Sequence, residues 1–143
     1  MNKVTVVTSG FQKDLNGKQE RVAHLVEGQY YFRNKKHYIK YDDISMDQEN
    51  VIATTIKTDG GSLAIFRRGA VDTEMTFSKG ERSRSMYHTP YGPMELEINT
   101  RKLEICMDEV EACGEIDLCY DLQVNGMPVG DYELHIKISN ADN

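Results

Sequence analysis

Between Val4 and Ile138 the chain consists of short segments in which apolar and polar residues alternate, separated by glycine-bearing turns, and no stretch carries the periodicity of an amphipathic helix. Successive side chains of a strand point to opposite faces, so this alternation specifies sheet with one buried face. The pattern is clearest where Ile116, Leu118, Tyr120, Leu122 and Val124 share one phase while Asp117, Cys119, Asp121 and Gln123 share the other. After Asn125-Gly126, a dipeptide suited to a type I′ turn, the phase resumes with Tyr132, Leu134, Ile136 and Ile138, which predicts an antiparallel hairpin.

The same reading extends along the chain. Val4, Val6 and Thr8 begin a first strand that Asn16-Gly17 turns back into a second, running from Val22 to Val26 and on through Tyr30, Tyr31 and Phe32. Gly28 interrupts that run as a bulge or corner glycine would, and a bend is expected there. A turn at Asn34-Lys35 leads to a strand over Tyr38 to Asp43, and the polar stretch from Ser45 to Asn50 is the longest expected loop and a candidate rim element. Further strands are predicted over Val51 to Thr58, Leu63 to Arg68, Val71 to Ser78, Ser83 to Thr89, Met94 to Thr100 and Leu103 to Met107. So long a meander leaves exposed edges unless it closes on itself, so the prediction is an all-β antiparallel meander closed into a barrel of about 8–10 strands, with a two-sheet sandwich as the competitor.

A chain of 143 residues has the size of one domain, 1–143, and buries enough surface to need no staples. Cys106, Cys113 and Cys119 cannot all pair within the chain and none has a Cys-x-x-Cys spacing, which fits a reducing, cytoplasmic setting. No segment has the apolar length of a signal peptide core or a membrane span, so neither secretion nor membrane insertion is expected. The net charge of −6 is unevenly spread: residues 1–102 hold 16 Lys/Arg against 13 Asp/Glu, and residues 103–143 hold 1 against 10. In a barrel this gives an acidic wall and a milder basic one, able to orient an anionic partner or a second copy, or simply to keep the domain soluble.

Several pieces point together to a family: Arg67-Arg68-Gly69-Ala70-Val71, Phe77 with Gly80, Tyr87-His88-Thr89-Pro90-Tyr91-Gly92, and Gly114 with Ile116 and Tyr120-Asp121. In that order they resemble the YwiB-like family of small bacterial proteins of unknown function. The resemblance spans nearly the whole chain and implies a calycin-like β-barrel, related in shape to lipocalins and fatty-acid-binding proteins. Its motifs are turn and strand patterns, so it transfers shape and no catalytic residue.

Among individual residues, Arg67 stands out because it is in phase with Leu63 and Ile65 and would enter the barrel with them. An interior arginine must be paired or meet an anion; otherwise the side chain reaches solvent at the strand end or pairs with a wall carboxylate such as Glu74. Arg82, Arg84, Met86 and His88 share one phase and Ser83, Ser85 and Tyr87 the other, and two regular phases leave the inner one open. An inner Met86 would give a basic interior lined by Arg84; an inner Tyr87 would put the arginines in an outer, solvated stripe, which is the usual place for strand arginines. Tyr30, Tyr38, Tyr87, Tyr91, Tyr120 and Tyr132 offer hydroxyls to a pocket or simply pack in the core. The rigid His88-Thr89-Pro90-Tyr91-Gly92-Pro93 turn is either structural or closes one mouth with Tyr91 as a lid.

The four histidines are scattered, which argues against a metal centre, and neither a Gly-x-Ser-x-Gly elbow nor a phosphate-binding glycine loop is present, so no catalytic residue and no cofactor is assigned. The function expected is a binding module for a small apolar or amphipathic anion, with Arg67 and Arg84 as counter-charge and Tyr87, Tyr91 and Tyr120 as accessory groups. The alternative is an interaction or structural protein working through its outer surface, as monomer or homodimer, with a basic face of Arg33, Lys35, Lys36, Arg82 and Arg84. Overall acidity argues against nucleic acid as its partner.

Overall fold

A computed structural model describes residues 2–44, 51–69 and 72–141. Ten strands form one antiparallel sheet: β1 Asn2–Asp14, β2 Gln19–Arg33, β3 Lys36–Ile44, β4 Val51–Thr58, β5 Ser62–Arg68, β6 Thr73–Ser78, β7 Arg82–Thr89, β8 Gly92–Asp108, β9 Cys113–Val124 and β10 Met127–Asn140. Their lateral order is β6-β5-β4-β3-β2-β1-β10-β9-β8-β7, so the first and last strands pair in the middle and the sheet ends at β6 and β7. The sheet curls until those two lie beside each other, where Ser83 Oγ donates to the Thr76 carbonyl at 2.6 Å without a ladder between the strands. The barrel is therefore nearly closed.

The alternation assigns the faces as the sequence predicts. Val4 and Val6, Ile39, Ile56, Leu63 and Ile65, Ile98, Ile116 and Leu118, and Ile136 and Ile138 are buried in one cluster. Asn125 and Gly126 both have positive φ, 50° and 80°, as a type I′ turn requires, and the Asn125 side-chain oxygen also accepts the Glu95 amide at 2.9 Å.

Two expectations change. The two strands predicted over Met94 to Thr100 and Leu103 to Met107 are one, β8, because a bulge between Thr100 and Lys102 absorbs the break in alternation and leaves both Arg101 and Lys102 exposed. Gly28 is no bulge, since its pairing with Val4 lies within an unbroken β1–β2 ladder and its pairing with Tyr41 is the last of the β2–β3 ladder, with no register shift in either. It is required by close approach instead: a Cβ there would lie 2.7 Å from the Lys40 carbonyl oxygen. The expected rim loop, Ser45 to Asn50, lies outside the described residues, as does Val71 of the strand predicted over Val71 to Ser78.

One end of the barrel is plugged. The β8–β9 turn is shaped by Asp108, whose carboxylate accepts the amides of Val110 and Glu111 at 2.9 and 3.1 Å, and it carries Ala112 into the packed cluster with no exposure. Tyr30 and His37 are buried at this end, near enough for Glu109 and Asp108 to act on Tyr30 electrostatically.

Candidate functional site

Toward the other end β2 and β3 part. Their ladder runs only from Arg33 and Lys36 to Gly28 and Tyr41, after which β2 continues along β1 and β3 along β4. Inside this fork lies a cavity of about 310 Å³, walled by inward residues of β1, β2, β3, β4, β5 and β10. Ile52, Ile65, Leu134 and Ile136 supply apolar wall, and Thr8, His24, Tyr41 and Arg67 supply polar groups.

Register explains how these polar groups meet. Tyr41, Thr54, Arg67 and Thr73 lie opposite one another across β3, β4, β5 and β6, one row beyond the apolar row of Ile39, Ile56, Ile65 and Met75. Thr8 and His24 are likewise a cross-strand pair. Thr54 is 1% exposed and its hydroxyl has no hydrogen-bond partner, although it sits directly across from Arg67. A buried hydroxyl without a partner is uncommon, because its desolvation goes uncompensated.

Arg67 thus enters the barrel in phase with Leu63 and Ile65, as the alternation predicts. Glu74 cannot pair with it, since Glu74 lies opposite Phe66 on the outer phase, and no carboxylate among the described residues forms an ion pair with the guanidinium. Tyr120 is inward as well. Burial pushes its hydroxyl up to about 12, while the nearby Arg67 charge pulls it the other way and the Tyr132 hydroxyl adds to the rise. Its ring stacks on Tyr132 at 5.2 Å and tilts against Phe77 at 4.9 Å, so the residue is both core and a neutral hydroxyl within the field of Arg67.

The remaining candidates fall elsewhere. Ser83, Ser85 and Tyr87 take the inner phase of β7, which turns Arg84 outward: it is exposed and lies 4.0 Å from Glu95, as Arg82 lies 3.5 Å from Glu97. Arg84 therefore lines no interior, and the outer-stripe reading of that strand holds. Tyr87 is half-buried on the inner side opposite Met94 and does not line the cavity. Tyr91 is no lid: at 99% exposure it covers nothing. Tyr38 also faces out, stacked on Tyr31 at 4.7 Å with Lys57 over its ring and Lys40 over that of Tyr31.

His24, Thr8, Tyr41 and Thr54 were not singled out from the sequence. Each shares the phase of an apolar neighbour already assigned inward (Val22 and Val26, Val6, Ile39, and Ile56), which is the signal that finds them. Among the described residues no three His, Cys, Asp or Glu side chains converge as metal ligands, and no helix is long and apolar enough to cross a membrane.

The fold and this inward polar row define the class: a small, nearly closed antiparallel β-barrel, plugged at one end and forked at the other. The chain belongs to the family described as "Domain of unknown function (DUF1934)", whose model matches residues 6–136. It is similar to the "Uncharacterized beta-barrel protein YwiB" of Bacillus subtilis (strain 168), with 28% identity over 121 residues that cover 85% of this chain and 79% of that protein. The crystal structure of the ywiB protein from Bacillus subtilis shares the fold, with a TM-score of 0.84 at 24% identity over 98% of this chain and 92% of that one.

Proposed function

We propose that this barrel is a cytoplasmic carrier or sensor of a small amphipathic anion, held in the forked cavity with its charged group against Arg67. The observation that carries the reading is Arg67 itself, an inward guanidinium with no carboxylate partner among the described residues, facing the unpartnered hydroxyl of Thr54. A carboxylate or phosphate satisfies both groups at once, the guanidinium by paired hydrogen bonds and the hydroxyl by one more. Ile52, Ile65, Leu134 and Ile136 receive the apolar part of the ligand. A volume of about 310 Å³ is at the small end for ligand pockets, which selects a compact molecule over a long-chain lipid.

Native mass spectrometry of protein purified gently from its own cells tests this. The expected result is an added mass lost on denaturation, absent from Arg67→Met. That variant keeps the apolar stem of the side chain and removes the unpaired charge, so it is expected to raise the thermal midpoint by a few degrees while losing the ligand. A bare chain mass from wild-type protein, or an Arg67→Met variant that keeps the added mass, would sink the proposal.

The outer wall supports a second reading. Tyr31 and Tyr38 with Lys40 and Lys57 make an aromatic, basic strip on β2, β3 and β4, whereas the outer faces of β9 and β10 carry Glu115, Asp117, Asp121, Asp131 and Glu133. A protein partner docking on that strip would bind with steep salt dependence, and binding unaffected by added salt would exclude it.

A further inference from the structure

Arg67 shares the forked cavity with a second polar pair. Thr8 of β1 and His24 of β2 lie directly opposite each other in the β1–β2 ladder, and both line the cavity. Directly opposite side chains of an antiparallel pair have Cβ atoms about 4.5–5.5 Å apart, so a hydroxyl and an imidazole so placed reach one acceptor together. Among the described residues neither side chain is engaged in a hydrogen bond or an ion pair.

The two donor groups stand on opposite sides of the fork. Thr8 and His24 belong to the side where β2 follows β1, and Arg67 to the side where β3, β4 and β5 run together. The wall between them is apolar: Ile52 and Ile65 lie on the Arg67 side, and Leu134 and Ile136 come from β10, the neighbour of β1. Among the described side chains, Tyr41 of β3 and Arg67 of β5 are the titratable groups that share the cavity with His24, and β1, β4 and β10 contribute none. No carboxylate among these lining side chains repels an anion at either end.

We infer, resting on the anion reading of Arg67, that the ligand is a compact dicarboxylate with a short methylene linker, one carboxylate on Arg67 and the other on Thr8 and His24. A monocarboxylate would place its terminal methyl against Thr8 and His24 and leave their polar atoms without partners, a desolvation that goes uncompensated. A second carboxylate meets both, accepting from the hydroxyl and from a ring N–H. The isoleucine and leucine walls take the methylene linker, and a volume of about 310 Å³ admits a short one. Because a carboxylate against the ring favours its protonated form, binding takes up a proton and strengthens as pH falls through the range in which histidines titrate.

Calorimetric titration of the wild-type protein with the α,ω-dicarboxylates from malonate to adipate, each against the monocarboxylate of the same carbon count, tests this. At pH 6 the best-fitting dicarboxylate should bind at least about tenfold tighter than its monocarboxylate, the scale set by leaving a buried polar pair unpaired. Raising the pH to 8 should weaken the dicarboxylate and leave the monocarboxylate unchanged. His24→Phe keeps a ring and removes its nitrogens, so it should abolish the preference while still binding the monocarboxylate, which also shows that the variant is folded. His24→Gln retains a neutral donor and should keep part of the preference without its pH dependence. Arg67→Met should lose both acids. Equal affinity for the two acids in wild-type protein, or a preference that survives in His24→Phe, overturns this inference and leaves the anion reading intact. Binding of neither series overturns both.

Discussion

The Tyr30 hydroxyl lies 2.6 Å from Nδ1 of His37 at the plugged end of the barrel, and both side chains are buried. Burial holds the Tyr30 phenol up at about 12 and lowers His37 below its ordinary 6.5, with nearby Glu109 partly offsetting the fall. Both groups are thus neutral near pH 7 and share one hydrogen bond.

This pair predicts an acid-sensitive fold. His37 binds its proton more weakly folded than unfolded, so its contribution to stability is complete above pH 6.5 and is lost as pH falls through the lowered folded value. Tyr30 acts at the other extreme, contributing fully below pH 10 and losing that contribution as pH rises through about 12. Thermal midpoints measured from pH 8 to pH 5 should fall more steeply for wild type than for His37→Phe. Parallel curves would show that His37 does not couple folding to protons.

Gly28 predicts a tight requirement for a missing side chain. Adding one carbon brings it 2.7 Å from the Lys40 carbonyl oxygen and 3.2 Å from Cβ of Tyr41, just where β2 and β3 begin to part. Gly28→Ala should therefore lower stability by about 1–3 kcal/mol, as overpacking does elsewhere. The check is a lower urea midpoint with an unchanged slope; an unchanged midpoint would mean that the strands separate at no cost.

The β2–β3 turn predicts the reverse effect. Asn34 and Lys35 hold φ of 54° and 64°, and lysine has neither the freedom of glycine nor the local hydrogen bonds that help asparagine in that region. Lys35→Gly should stabilise the protein by about 1 kcal/mol, the lower bound of the left-handed penalty, read as a raised urea midpoint. A lower midpoint would indicate that the Lys35 side chain contributes something the backbone strain does not outweigh.

Local chemistry made most of the fold readable. The Asn-Gly pair at 125 forms its turn as its backbone preferences require, whereas at the first hairpin the turn runs from Asp14 to Gly17 and only Gly17 of the pair has positive φ; the phase of Leu63 and Ile65 carried Arg67 inward. What escaped was decided by tertiary pairing. Nothing in Arg101-Lys102 distinguishes a turn from a bulge, because both interrupt alternation and both present charge to water. The direction of Arg84 depends on which of two equally regular phases meets the core, and only the pairing with β8 selects it. The polar row of Tyr41, Thr54 and Arg67 joins residues from three strands, so it exists only once the register is fixed.

The pairing of β1 with β10 has a consequence for how the chain reaches this state. Val4 lies opposite Asn140, so the strand of this sheet made first waits for the one made last. Every other ladder among the described residues joins consecutive strands, which makes this the one ladder of very high sequence separation and the pairing with the greatest loop-closure entropy. Joining β10 to β1 by a linker and opening the β6–β7 turn instead would turn the same sheet into a plain run of neighbouring hairpins. In that rearranged order every strand pairs with the one made just before it, and folding can proceed strand by strand as the chain emerges.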